Sequence, residues 1–178
     1  DVYFTKAGIW GFNEDYCLGI YFFQIPIEEV LFFFAIPYAS LFIHFALFDI
    51  YRKRRLGKTF TKLITIVLII VSAILIITHT YQIYTLVNFS VLLFLLLCGL
   101  LFKLKLLQRF YISFSIISIP FFLVNGILTG AIIEAPIVWY NNLENMGIRM
   151  HTIPVEDLGY AFSMLFGNLL LFDPIQKF

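Results

Sequence analysis

Long apolar runs alternate with short polar stretches along this chain, and the length of each run sets the element it forms. Apolar runs cover about Pro26 to Tyr51, Leu63 to Thr80, Thr85 to Leu104, Phe110 to Ile133 and Ile153 to Phe172. A hydrocarbon core of roughly 30 Å needs about 20 helical residues, so the pattern predicts five complete spans. Proline suits a first helical turn, which puts the start of the first span at Pro26, and Pro120 predicts a kink in the fourth. Asp1 to Trp10 is too short to cross and reads as the tail of a further helix or an interfacial piece. Polar loops fill Gly11 to Phe23, ending in the aromatic belt Tyr21-Phe22-Phe23, and Glu134 to His151.

Composition closes off the soluble alternative. Of 178 residues, 61% are hydrophobic and 13% charged, with a mean hydropathy of +0.94, more apolar surface than a soluble domain of this size can hide. The formal net charge of +1 leaves no broad basic face, so no nucleic-acid partner is predicted. Arg52, Lys53, Arg54, Arg55, Lys58, Lys62, Lys103, Lys105, Arg109 and Lys177 fall at one end of the predicted spans, and Lys6 and Arg149 at the other. The positive-inside rule makes the first end cytoplasmic. The chain has no initiator Met and no signal peptide, as expected of an internal fragment.

Two places carry carboxylates where they are costly. Gln24-Ile25-Pro26-Ile27-Glu28-Glu29 returns as Thr152-Ile153-Pro154-Val155-Glu156-Asp157, each opening an apolar run from the non-cytoplasmic side. Capping alone explains one such pair, since acids in a first turn gain about 0.3–1 kcal/mol from the helix dipole. The surroundings recur as well. Trp10-Gly11-Phe12-Asn13 matches Trp139-Tyr140-Asn141 with one residue deleted, Gly19-Ile20 matches Gly147-Ile148, and Asp1 and Thr5 echo Asn125 and Thr129 at a spacing that shares a helix face. The predicted fold is therefore an all-α polytopic integral membrane bundle of two parallel repeats, with five complete spans and the tail of another. It is a single membrane domain over 1–178, with a first repeat over 1–51 truncated at its start, a linker loop and helix over 52–86, and a second repeat over 87–178. Asn125 and Thr129 end a full span, so the natural protein is expected to begin upstream of Asp1.

Adjacent helical residues project about 100° apart, so one pocket cannot receive both members of a pair. The predicted dyad takes one carboxylate from each repeat, Glu28 with Glu156 or Glu29 with Asp157. Two carboxyls together in a dry site share protons, making one a general acid and the other a general base. Protonating an alkene among 22 Phe and 10 Tyr gives a carbocation that aromatic faces stabilise and from which water must be kept. The predicted substrate-binding groups are Asp1, Thr5 and Asn13, then Asn125, Thr129 and Asn141, with Arg149, which could pair with a motif carboxylate or anchor at headgroups. Cys17 and Cys98 fit no metal or redox spacing, His44, His79 and His151 are isolated, and no dinucleotide fingerprint or phosphate loop is present. Neither a metal nor a cofactor is predicted. Gly126 to Gly130 reads as a packing face.

These motifs resemble the lycopene cyclase domain family of the heterodimeric carotenoid-pathway type. The likeness rests on Asp1 to Thr5, Gly8 to Asn13, Leu18-Gly19, Pro26 to Glu29 with Phe32-Phe33 and Pro37-Tyr38, Asn125 to Gly130, and Leu143 to Asp157. The resemblance implies redox-neutral cyclisation of the ψ end groups of lycopene to β-ionone rings. It implies an acidic site on Glu28, Glu29, Glu156 and Asp157, with Asp1, Asn125 and Thr129 as pocket or support groups. It also implies a bacterial inner (plasma) membrane location, with membrane lipid and a carotenoid as partners and room for a homo-oligomer. A carotenoid hydratase on the same scaffold and a small parallel-repeat transporter are the rival readings.

Overall fold

The computed structural model describes residues 2–172, so Asp1 and Lys177 lie outside the described residues. A short helix α1 (Val2–Lys6) is followed by five long ones: α2 (Ile27–Ile50), α3 (Lys58–Thr78), α4 (Ile83–Phe102), α5 (Leu104–Leu128) and α6 (Val155–Phe172). Among the described residues these five are long and apolar enough to cross a membrane. The fold is an all-α polytopic bundle.

Helix boundaries differ from the expected ones for local reasons. Pro26 precedes its helix with extended backbone (φ −61°, ψ 146°), so α2 begins at Ile27. Helix α3 starts before Leu63 and takes Lys58 and Lys62 into its first turns, where their long stems can follow the helix while the ammonium groups stay at the surface. Helices α4 and α5 are separated by Lys103 alone, so α5 begins at Leu104 instead of Phe110. It also ends early. Gly130 adopts φ +95°, Gly130 N–H bonds Ile127 O and Ala131 N–H bonds Gly126 O, a left-handed termination that stops the helix before Ile133. Helix α1 closes by the same turn, with Gly8 at φ +68° and bonds from Gly8 to Thr5 and Ile9 to Phe4.

Three small antiparallel ribbons, absent from the sequence expectation, gather at one end of the bundle. Strand β1 (Trp10–Phe12) pairs with β4 (Val138–Tyr140), β2 (Tyr21–Phe22) with β3 (Ile25–Pro26), and β5 (Arg149–Met150) with β6 (Ile153–Pro154). The last two are the same hairpin 128 positions apart: Tyr21 opposes Pro26 as Arg149 opposes Pro154. Both turn through positive φ at the equivalent positions Phe23 (50°) and His151 (60°), and the first hairpin adds Gln24 (70°). In both, the first helical N–H reaches back across the hairpin, Ile27 to Ile20 and Val155 to Ile148. Trp10 lies opposite Tyr140 and Gly11 opposite Trp139. The Trp139 indole occupies the space that a side chain on Gly11 would need.

The core sits where α4, α5 and α6 meet. Leu96, Leu107, Phe110, Phe166 and Leu169 are fully buried there, and Gly99 lets α4 approach Phe166 closely. Helix α3 lies on α4, and α2 packs on α5 and α6. Polar side chains turn inward to link helices: Thr65 Oγ1 with Tyr111 Oη at 2.9 Å and His44 Nδ1 with Ser113 Oγ at 2.7 Å. The outward faces are apolar, with Phe34, Tyr38, Phe42, Ile70, Ile77 and Leu123 all exposed.

Candidate active site

Each acidic motif sits on the first turn of a helix whose entry is fixed by its hairpin, so its two carboxylates leave in different directions. The first of each pair turns back to its own loop. Leu18 N–H donates to Glu28 Oε1 at 2.6 Å and Met146 N–H to Glu156 Oε1 at 2.8 Å, again 128 positions apart. Glu156 is fully buried and also accepts from Thr85 Oγ1 at 2.7 Å, while Asn88 Nδ2 donates to its backbone carbonyl. Glu28 and Glu156 therefore tie loops to helix starts. Neither lines the cavity described next.

The second of each pair faces a common cavity of about 190 Å³ between α2, α5 and α6. Glu29 and Asp157 stand at its polar head with Asn125 and Thr129, and the remainder is apolar, lined by Phe32, Phe33, Ile36, Phe114, Ile117 and Leu165 among others. The β1–β4 ribbon roofs it. Side chains alternate across a strand, so Trp10 and Phe12 of β1 and Val138 and Tyr140 of β4 share the inner face, and all of them line the cavity.

The two carboxylates are held differently. Asp157 is buried and receives three donors: Tyr84 Oη on Oδ1 at 2.5 Å, and Tyr140 Oη at 2.8 Å and Asn125 Nδ2 at 3.3 Å on Oδ2. An ionised carboxylate only accepts, and this arrangement offers it only donors. No donor among the described residues reaches Glu29, which faces the cavity half-buried. Burial, then the Asp157 carboxylate, push the Tyr140 phenol well above its ordinary value of 10, so it stays a proton donor at neutral pH. The Trp10 ring meets Tyr84, Tyr140 and Tyr160 edge to face at 5.3, 6.2 and 6.3 Å, giving the head of the cavity an aromatic wall.

Of the expected binding groups, Asn125 and Thr129 line the cavity, and Thr129 Oγ1 also meets Thr152 Oγ1 at 2.7 Å. Thr5, Asn13, Asn141 and Arg149 do not. Asn13 and Asn141 are loop caps, accepting from Asp15 N–H and Leu143 N–H, equivalent positions 128 apart. The Arg149 guanidinium lies over the Tyr140 ring at 5.4 Å and donates to Thr152 O and Asn142 Oδ1, without reaching a motif carboxylate. Thr5 Oγ1 is buried and unbonded among the described residues. Asp1 lies outside the described residues. Tyr84, Thr85, Asn88 and Tyr160 were not singled out from the sequence, and Tyr140 entered only as part of the repeated Trp139-Tyr140-Asn141, although Tyr84, Thr85 and Asn88 form a polar face on the first turns of an otherwise apolar span.

A sequence model of the family described as lycopene cyclase matches residues 1–47 and 81–175. The chain belongs to the lycopene cyclase family. The two matched segments contain the two acidic motifs and every ribbon that shapes the cavity head, whereas α3 falls entirely in the unmatched stretch between them. Comparison with curated proteins and with solved structures returns no match.

Proposed function

We propose that this protein is a membrane-embedded lycopene cyclase of the intramolecular lyase or isomerase type, in which Glu29 and Asp157 carry the proton transfers. The observation that carries the proposal is the convergence of the second carboxylate from each acidic motif on one apolar, aromatic-roofed cavity. Glu29, unclaimed by any donor among the described residues, is the acid. It gives its proton to the terminal double bond of a ψ end group, leaving a tertiary cation. The neighbouring double bond attacks that cation and closes a six-membered ring. Asp157, whose carboxylate form its three donors favour, takes a proton from the ring to form the β-ionone double bond. A proton then returns from Asp157 to Glu29, so the net change is an isomerisation that needs neither a cofactor nor a metal. Trp10 and its tyrosine neighbours face the cationic stage, where each ring can contribute about 0.5–2 kcal/mol.

Glu28 and Glu156 are positioning residues in this reading. The two halves are parallel repeats, supported by hairpins, loop caps and carboxylate contacts that recur 128 positions apart. Embedding in a membrane is supported by the exposed apolar faces, and the basic residues at the end opposite the cavity head support acidic motifs on the non-cytoplasmic side; the bacterial plasma membrane is the location that the family resemblance suggests.

Expression in cells that make lycopene, followed by chromatography of the pigments, tests the proposal. Ring-bearing carotenoids are the expected product, and Glu29→Gln is expected to lower turnover by about 10²–10⁴-fold. Unchanged lycopene beside well-inserted protein sinks the cyclase reading, and hydroxylated acyclic products mean that water captures the cation.

A further inference from the structure

We propose that the polyene enters this cavity sideways from the bilayer, through a slot between α2 and α5, and that the site holds one end of the substrate at a time. The inference rests on reading the cavity as a polyene site. Three of the residues that line the cavity, Ala39, Pro120 and Val124, also lie on the exposed outer surface. Behind them Ser40 and Ile117 are buried. The cavity therefore reaches the flank of the bundle instead of its polar end, which the β1–β4 ribbon roofs.

Below the slot the two helices are clasped by the buried His44–Ser113 hydrogen bond of 2.7 Å. The opening is thus bounded at both ends. Each of its helices carries an interior proline near it, Pro37 in α2 and Pro120 in α5. An interior proline removes one helical hydrogen bond and bends the helix locally, which lets these two separate above the clasp.

Size decides how much substrate fits. The lining runs from Glu29 to Ile43 on α2 and from Phe114 to Leu128 on α5, about 20 Å at 1.5 Å per helical residue, long enough for one end of an extended carotenoid and too short for both. The rest of the chain must pass through the slot and lie along lipid. Once the first ring has formed, that end backs out by the same route before the other end can enter. The monocyclic product is therefore a released intermediate, and the bicyclic product requires a second, independent capture.

The test uses the protein in phospholipid vesicles containing lycopene, with Trp139→Phe as background so that quenching of Trp10 emission by the polyene reports occupancy. Monocyclic carotenoid is expected to accumulate before bicyclic product. Ala39→Phe and Val124→Phe are expected to lower kcat/KM and the quenching rate by about tenfold or more with a smaller effect on kcat, whereas Leu123→Phe on the outer face of α5 changes neither. Slot variants that cyclise and quench like the parent overturn the route, and bicyclic product from the first turnovers overturns the one-end rule. Slot-dependent quenching with no cyclisation keeps the route and removes the cyclase reading, while neither quenching nor cyclisation removes both.

Discussion

At the scale of residues, neighbours in sequence do unlike work here. Glu156 accepts from Thr85 and from the Met146 amide while fully buried, so Glu156→Ala leaves two donors without a partner. A loss of stability of about 1–3 kcal/mol per orphaned donor is expected, measurable as a lower midpoint of thermal or denaturant unfolding in detergent. Glu156→Gln keeps the accepting oxygen and should restore most of that stability. Asp157→Asn is expected to reduce cyclisation by about 10²–10⁴-fold while Glu156→Gln leaves turnover near normal. Asp157→Asn also costs stability, because the amide turns one accepting oxygen into a donor facing the donors Tyr84, Tyr140 and Asn125. If Glu156→Gln loses turnover as severely as Asp157→Asn, the division between clamp and catalyst is wrong. Tyr140 adds a pH signature. Its phenol is pushed above 10 by burial and the Asp157 charge, so its contribution to stability is complete below about pH 10 and is lost as pH rises through the raised folded value. Tyr140→Phe should cost about 1.5–3 kcal/mol at pH 7, the range for a hydrogen bond to a charged group, and flatten the alkaline limb of a stability-against-pH curve. The sequence placed both carboxylates of each motif as candidates because residue type and spacing carry that much. Choosing the second of each pair required the hairpin, which sets the rotation at which the helix begins.

At the scale of elements, the β1–β4 ribbon joins two loops that are distant in the chain, and it carries both Trp10 and Tyr140 to the cavity head. Its register depends on Gly11, whose missing side chain makes room for the Trp139 indole. Gly11→Val is expected to destabilise the protein by about 1–3 kcal/mol through overpacking, and Trp139→Ala in the same chain should recover part of that loss, a coupling readable by a double-mutant cycle. Purely additive effects would mean that the contact does not hold the ribbon. The ribbons escaped the apolar pattern because strands of two or three residues are too short to show an alternating period. The early end of α5 had a readable signal in Gly130, but Ala131-Ile132-Ile133 continues the apolar run and conceals the stop.

At the scale of the whole molecule, apolar side chains face outward along the helices while Thr61, Thr65, Ser72, Thr85 and Asn88 are buried between them. That inversion suits a surrounding hydrocarbon, where packing and interhelical hydrogen bonds hold helices together in place of a hydrophobic drive. The orientation has a direct test. In a Cys17→Ser, Cys98→Ser background, Tyr81→Cys, at a site 95% exposed between α3 and α4, should react with an impermeant maleimide added outside intact cells. Arg54→Cys, exposed in the loop before α3, should react only after permeabilisation. The reverse pattern would put the acidic motifs on the cytoplasmic side.

By itself the sequence determined the membrane-type composition, the number of long apolar helices, the shared end from which α2 and α6 start, and the presence of acidic motifs at both starts. These are local quantities: run length, charge balance and spacing along one chain. Only the tertiary structure decided that Glu29 and Asp157 share a cavity while Glu28 and Glu156 bind loops, that Tyr84 and Tyr140 hold Asp157, and that the cavity opens on the flank between α2 and α5. Those properties depend on the angle at which each helix leaves its hairpin and on contacts between residues tens of positions apart, and neither is written in the period of an apolar run.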